Sequence, residues 1–310
     1  MTVRGALQAG AASLRAKSID TPYLDATLLL AEALGTTKER LFVAYSDEIA
    51  IEQAERFQRL LGERLSGRPV SYIRRRKEFY GREFYVDERV LVPRPDTEIL
   101  VEAALGIIDA REQGVAVANA GEPRGGSIET GAGSGRRIAR VHDVGTGSGC
   151  IALTLALERP RLAVSASDLS PGAEEVLRLN ASRLKVDLPF FRRSLLSGIP
   201  GPFDMIVSNP PYLTDAEVDE MIGAGWPEPP EALRGGPEGL DCIEQLVAQS
   251  VDCLVRDSYL LLECAPQQAE RIAGMLLAAG FGSAEVLPDL AGRGRVVVGR
   301  LLGAESAEQA

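Results

Sequence analysis

The chain has 310 residues, of which 45% are hydrophobic and 25% charged, so it is long enough for more than one packed core and has ordinary globular make-up. Its apolar stretch "ATLLLAEAL" is too short to cross a bilayer and carries Glu32, so no membrane anchor is expected and a cytoplasmic location is inferred. The net charge of −10 is uneven: residues 1–80 hold 13 Lys/Arg against 10 Asp/Glu, which leaves −13 on the remainder and speaks against stable nucleic-acid binding, where phosphate neutralisation dominates affinity.

The opening "MTVRGALQAGAASLRAK" lacks the apolar core of a signal peptide and reads as a first helix. "DATLLLAEAL" and "EQAERFQRLLGERL" place apolar residues three and four apart, so residues 1–75 are expected to form a small helical bundle. Asp20 and Thr21 precede one helix as cap candidates, and Ser46 and Asp47 precede another. The basic run "RRRK" (74–77) reads as a solvated face. Residues 76–95 form a linking segment, in which "EFYGREFYV" alternates around Gly81 like a short hairpin. "PRPDTEILVEAALGII" follows, with proline punctuation and a helix capped at Asp96 or Thr97. Residues 112–138 are rich in Gly, Ala and Ser and are expected to be a flexible insertion. Their "GAGSG" (131–135) follows no strand, so it fails the context test for a phosphate cradle.

From 139 onward strands and helices alternate. Strands are expected at "ARVHDVG", "LAVSASDLS", "FFRRSL", "FDMIVSN", "SYLLLECA", "SAEVLPD" and "RVVVGRL", which makes residues 96–310 a doubly wound α/β sheet. Only "LAGRG" separates the last two, too little for a crossover, so they should pair antiparallel. Cys150, Cys242, Cys253 and Cys264 show no paired spacing and read as buried thiols, with no metal site expected.

Two stretches carry chemistry. In "DVGTGSGCIAL" the glycines at 145, 147 and 149 permit a tight turn from the first strand of the α/β part into a helix, whose free N–H groups should face a ligand. Asp168 ends the second strand, where a carboxylate accepts both ribose hydroxyls. These two features suit either NAD or S-adenosylmethionine. "SNPPYL" ends the fourth strand of the α/β part, at the edge where such sheets bind ligands. Pro210 and Pro211 offer no N–H, Asn209 adds an amide oxygen and Tyr212 a flat apolar face. A turn rich in acceptors and poor in donors suits a planar group bearing NH₂. Holding that nitrogen in line with an electrophile implies the methyl of a sulfonium cofactor.

Together with "PVSYIRRRKEFYG", "VLVPRPDTEILVE", "EALRGGPEGLD" and "GRGRVVVGRL", in that order, these motifs resemble the HemK/PrmC family, the peptide chain release factor N5-glutamine methyltransferases. The resemblance covers most of the chain. It implies a class I methyltransferase sheet with an antiparallel last strand, S-adenosylmethionine as cofactor, and class I release factors as substrate. By that likeness Gly145, Thr146, Gly147, Ser148, Gly149 and Asp168, with Leu195 and Asn209, hold the cofactor. Asn209, Pro210, Pro211 and Tyr212 hold the glutamine of the GGQ loop, PRPDTE (93–98) shapes the same cleft, and residues 1–75 help dock the release factor. A monomer is expected. The chain departs from the family at Ser194 and Leu195, where an Asp often lies near the adenine. It departs again at His142, an aliphatic position in the family, and in the length of its insertion. The rival readings are an adenine-N6 nucleic-acid methyltransferase, which shares NPPY, and a non-catalytic docking protein.

Overall fold

The computed structural model describes residues 1–114 and 138–302, so the segment read as a flexible insertion, with its GAGSG, lies outside the described residues apart from its ends. Two units separate. One comprises Met1–Lys77 with Val86–Glu88 and Ile222–Pro227, and the other takes the remaining described chain.

The first unit is the expected helical bundle: α1 (Val3–Ala16), α2 (Pro22–Leu34), α3 (Lys38–Val43), α4 (Ile51–Leu65) and α5 (Val70–Arg74). Leu7 and Leu14 of α1, Leu29 and Leu30 of α2, and Phe57 and Leu61 of α4 close one core. Gly10 admits the Phe57 ring, since a Cβ there would lie 2.7 Å from it. Thr21 stands at the start of α2, but its hydroxyl donates to Asp25 at 2.8 Å instead of capping the backbone. Ser46 and Asp47 cap nothing. Residues 45–49 pair with the chain start, through Val3 N–H to Asp47 and Arg4 N–H to Tyr45, so α4 begins later, with Gln53 accepting the Ala50 N–H at 3.1 Å. The RRRK run is not a free basic face either. Arg74 and Arg76 turn onto Glu32, and Arg75 reaches Asp87 at 3.5 Å.

The second unit opens within the hairpin of β1 (Lys77–Phe79) and β2 (Arg82–Phe84), at Glu78. Its two turn residues, Tyr80 and Gly81, both have positive φ, as a tight two-residue connection matched to strand twist requires. Next come α6 (Thr97–Glu112), β3 (Arg140–Val144), α7 (Cys150–Glu158), β4 (Ala163–Asp168), α8 (Pro171–Leu184), β5 (Phe190–Arg192), β6 (Phe203–Ser208), α9 (Asp215–Gly223), α10 (Asp241–Cys253), β7 (Leu254–Glu263), α11 (Ala269–Ala278), β8 (Ser283–Pro288) and β9 (Gly294–Leu301).

The sheet order is β5-β4-β3-β6-β7-β9-β8, parallel from β5 to β7. β8 and β9 pair antiparallel as expected, and β9 also runs antiparallel to β7, so the final strand inserts between its two neighbours. Strand residues alternate between two cores, as period-two geometry demands. Met205, Val207, Leu261 and Val296 pack with α6 and α7, while Ile206, Leu260, Leu262 and Val297 pack with α10 and α11. The cysteines at 150 and 264 are buried free thiols.

Candidate active site

The carboxyl ends of β3, β4, β6 and β7 lie side by side, and each delivers a polar group. At the end of β3 the chain enters the glycine loop with φ of +69°, +53° and +82° at Gly145, Gly147 and Gly149, a region that glycine alone enters without strain. Added Cβ atoms at Gly145 and Gly147 would meet nothing within 4 Å, so these two face open space. At Gly149 a Cβ would lie 3.0 Å from Leu153 and 3.1 Å from Leu177, so this glycine serves helix packing. Thr146 and Ser148 are buried. The Thr146 hydroxyl donates to Asp143 at 2.6 Å, and the Ser148 carbonyl accepts from Asn180 at 2.9 Å.

Most of the loop's own donors are already engaged. Gly145 and Thr146 donate their N–H groups to the Ser167 carbonyl, at 2.9 and 3.0 Å, Gly147 donates to Asp168 at 2.9 Å, and Gly149 donates to the Thr146 carbonyl at 2.9 Å. Anion cradles work through unpaired N–H groups. Four of the N–H groups here, at Gly145, Thr146, Gly147 and Gly149, are thus engaged, three of them by β4.

Asp168 accepts from Gly147 N–H and from Ser170 N–H, each at 2.9 Å. A carboxylate offers about four lone-pair directions, so capacity remains for two hydroxyls. Burial pushes its pKa up, against the pull of these backbone bonds. Asp143, fully buried beneath the loop, is pushed up to about 7 by desolvation, and its Oδ1 has no partner. Leu195 sits half-buried at φ +50° against the second core, and its carbonyl accepts from Ser167 at 3.4 Å.

Beyond β6, Ser208 donates to the Val144 carbonyl at 2.7 Å and fixes the start of the NPPY turn. The Asn209 amide donates to the Thr97 hydroxyl at 3.2 Å. Neither Asn209 Oδ1 nor the Pro210 carbonyl accepts a hydrogen bond from any described residue. The rest of the turn is caged. Cβ atoms at Gly235 and Gly239 would fall 2.7 Å from the Pro211 carbonyl and 2.3 Å from that of Tyr212. Gln268 also donates to the Tyr212 carbonyl at 2.9 Å. Hence RGGPEGLD supports NPPY by close backbone approach. The Tyr212 phenol, pushed up to about 12 by burial, stays neutral and lies 3.5 Å from Glu263.

His142, also singled out in the sequence, lies in the core beside the site. Its ring stacks on Phe203 at 4.8 Å, and its nitrogens meet the hydroxyls of Ser165 and Ser167 at 2.8 and 3.0 Å. Burial lowers its pKa to about 4, so it is a neutral structural residue.

Sequence reasoning did not single out Glu263, and it read Asp96 and Thr97 as cap candidates within the cleft-shaping PRPDTE stretch. Asp96 forms no side-chain cap, and its carboxylate lies 3.1 Å from Arg295. Glu263 carried the same signal that singled out Asn209, a polar residue ending an apolar core strand.

The PrmC N-terminal domain family matches residues 5–74, and the methyltransferase small domain family matches residues 134–225. A release factor glutamine methyltransferase of Koribacter versatilis (strain Ellin345) is 37% identical over 303 residues, covering 97% of this chain and 99% of that protein. One of Neisseria gonorrhoeae (strain ATCC 700825 / FA 1090) is 38% identical over 284 residues, covering 91% and 94%. A solved methyltransferase from Pyrococcus furiosus aligns at a TM-score of 0.49 and 15% identity, over 81% of this chain and 100% of that one.

Proposed function

The chain belongs to the family of release factor glutamine methyltransferases, and from that membership we propose that it methylates N5 of the glutamine in the GGQ loop of class I peptide chain release factors, with S-adenosylmethionine as donor. The observation that carries the reading is the pair of unused acceptors at one strand end, Asn209 Oδ1 and the Pro210 carbonyl. A primary amide has two N–H bonds to place and a nitrogen whose lone pair is delocalised. Two fixed acceptors hold it in one orientation, and orientation of a weak nucleophile is worth several kcal/mol.

The residues present fit the cofactor. The open space at Gly145 and Gly147 and the spare acceptor capacity of Asp168 suit a nucleoside. Thr146, Ser148 and Gly149 shape the loop, and Leu195 stands near the end of β4 as an apolar neighbour. When bound, S-adenosylmethionine supplies an electrophilic methyl group on a sulfonium. Tyr212 offers its ring as the floor for the planar amide, and Pro210 and Pro211 keep competing N–H donors out of the turn. Residues 1–75 take the docking role and residues 96–310 the chemistry, with residues 76–95 linking them, in a cytoplasmic monomer. Among the described residues no helix is long and apolar enough to cross a membrane.

Radiolabelled methyl transfer tests this reading on three substrates: a release factor, its Gln→Asn variant and duplex DNA. Asparagine is one methylene shorter, roughly 1.5 Å of reach, and a 1 Å misplacement costs about a hundredfold. Label should enter the wild-type release factor and little else. Labelled DNA with an unlabelled release factor would transfer the assignment to adenine methylation.

A further inference from the structure

Resting on the docking role proposed for residues 1–75, we propose that Asn180 is a positioning residue that couples the two substrates. It ties the cofactor loop to the chain segment that packs into the helical unit, so that a docked release factor and S-adenosylmethionine tighten each other's binding.

The buried face of α8 is Ala173, Val176, Leu177 and Asn180, spaced as one stripe of a packed helix. An amide in the last of these positions interrupts an apolar run, and Asn180 is 1% exposed. A buried polar group is tolerated when its hydrogen bonds are made, and here all of them are. Oδ1 accepts from the Tyr85 N–H at 2.7 Å, and Nδ2 donates to the carbonyls of Tyr85 at 3.0 Å and Ser148 at 2.9 Å. These partners also decide which way the amide faces, since only its NH₂ can serve two carbonyls. One side chain thus joins two backbone segments, the glycine loop and the stretch just after β2.

That second segment leads out of the second unit. The chain leaves it after Tyr85, runs through the first unit as Val86–Glu88 and returns at Arg89. Within the first unit this strap is held by Arg75 on Asp87 at 3.5 Å and Arg68 on Glu88 at 3.2 Å, and Asp87 is buried. Helix α8 grips both ends of the strap. At Tyr85, Arg183 adds its guanidinium over the ring at 5.0 Å. At Arg89, the guanidinium reaches Glu175 at 2.6 Å, and the Arg89 Cβ occupies space that a Cβ on Gly172 would enter to within 2.9 Å. The same helix touches both cofactor elements. Ser170 at its start donates its N–H to Asp168 at 2.9 Å, and Leu177 lies against Gly149. A release factor that orders the helical unit orders the strap with it, and through Asn180 the loop carbonyl of Ser148. The cofactor then meets a loop with less freedom left to lose. Coupling of this kind is reciprocal: each ligand raises the affinity of the other by the same factor.

The test uses the full-length chain, S-adenosylmethionine and a release factor whose GGQ glutamine is replaced by alanine, so that it docks without accepting a methyl group. Wild-type protein is first shown to methylate the unaltered factor; failure there would remove the functional reading itself, separately from this inference. Titration calorimetry then gives the cofactor Kd alone and at saturating Gln→Ala factor. In the wild type the two should differ by about fivefold or more, the lower end of usual coupling between sites. Asn180→Ala should bring that ratio close to one. A purely structural loss would lower the melting temperature or weaken both Kd values alike, and would leave the ratio where it was. Arg89→Ala loosens the solvent-facing end of the strap, so it keeps the test open if Asn180→Ala does not fold. It should reduce the ratio while the Kd measured alone stays near wild type. A wild-type ratio of one, or an undiminished ratio in either folded variant, would overturn the proposal.

Discussion

Asp168 shows how much one carboxylate is asked to do. Two backbone N–H groups, from Gly147 in the loop and Ser170 after β4, aim it before any ligand arrives, so little ordering remains for binding. Asp168→Ala removes this aim together with the proposed ribose acceptor. A hydrogen bond to a charged group contributes about 1.5–3 kcal/mol, so cofactor affinity should fall roughly tenfold to a hundredfold. Titration calorimetry measures it, and unchanged affinity would take Asp168 out of the site. Asp168 and Asn209 stood out in the sequence because each is a polar residue closing a strand of apolar or small residues, a costly place for a polar group without a task. The contact of Thr97 with Asn209 did not show there, because Asp-Thr before a helix reads first as a cap. Only the tertiary structure shows Asp96 turned to Arg295 and Thr97 turned to Asn209.

At the scale of elements, the loop between β3 and α7 divides its glycines between two tasks. A non-glycine residue in left-handed backbone costs about 1–2 kcal/mol, and Gly145→Ala and Gly149→Ala share that cost. They differ in surroundings. The added methyl at 149 also presses on Leu153 and Leu177, whereas at 145 it enters open space. Gly149→Ala should therefore lower the melting temperature more, and Gly145→Ala should lose more cofactor affinity, because its methyl occupies the cradle. Calorimetric melting and binding measured on both variants check the division, and equal effects on both readouts would refute it. Strands and helices were readable from their periods. The placing of β9 between β7 and β8 was not, because strand order depends on long-range pairing that no local pattern encodes. The support that RGGPEGLD gives NPPY was likewise hidden, since it depends on Gly235 and Gly239 lying against the carbonyls of Pro211 and Tyr212.

For the whole molecule, the change from helical period to strand alternation was enough to anticipate two units, because each closes a hydrophobic core of its own. Every residue assigned to cofactor or amide lies in the second unit. The first holds no group with an evident chemical task, and its arginines at 74, 75 and 76 are paired with Glu32 and Asp87, so phosphate binding is a poor account of it. Docking of the protein substrate is the role proposed for it. A chain of residues 80–310 should then bind S-adenosylmethionine with near full-length affinity and methylate a short GGQ peptide at a similar rate, while acting poorly on an intact release factor. A docking contribution of about 3 kcal/mol corresponds to roughly a hundredfold in kcat/KM. The cut also strips Val86–Glu88 and Ile222–Pro227 of the unit they pack in, so a lower melting temperature is expected. The peptide substrate therefore serves as the internal control, because a misfolded fragment would lose both activities together. Loss on the intact factor alone supports docking. Equal kcat/KM for the truncated and complete chains on the intact release factor would show that the helical unit has no part in recognising it.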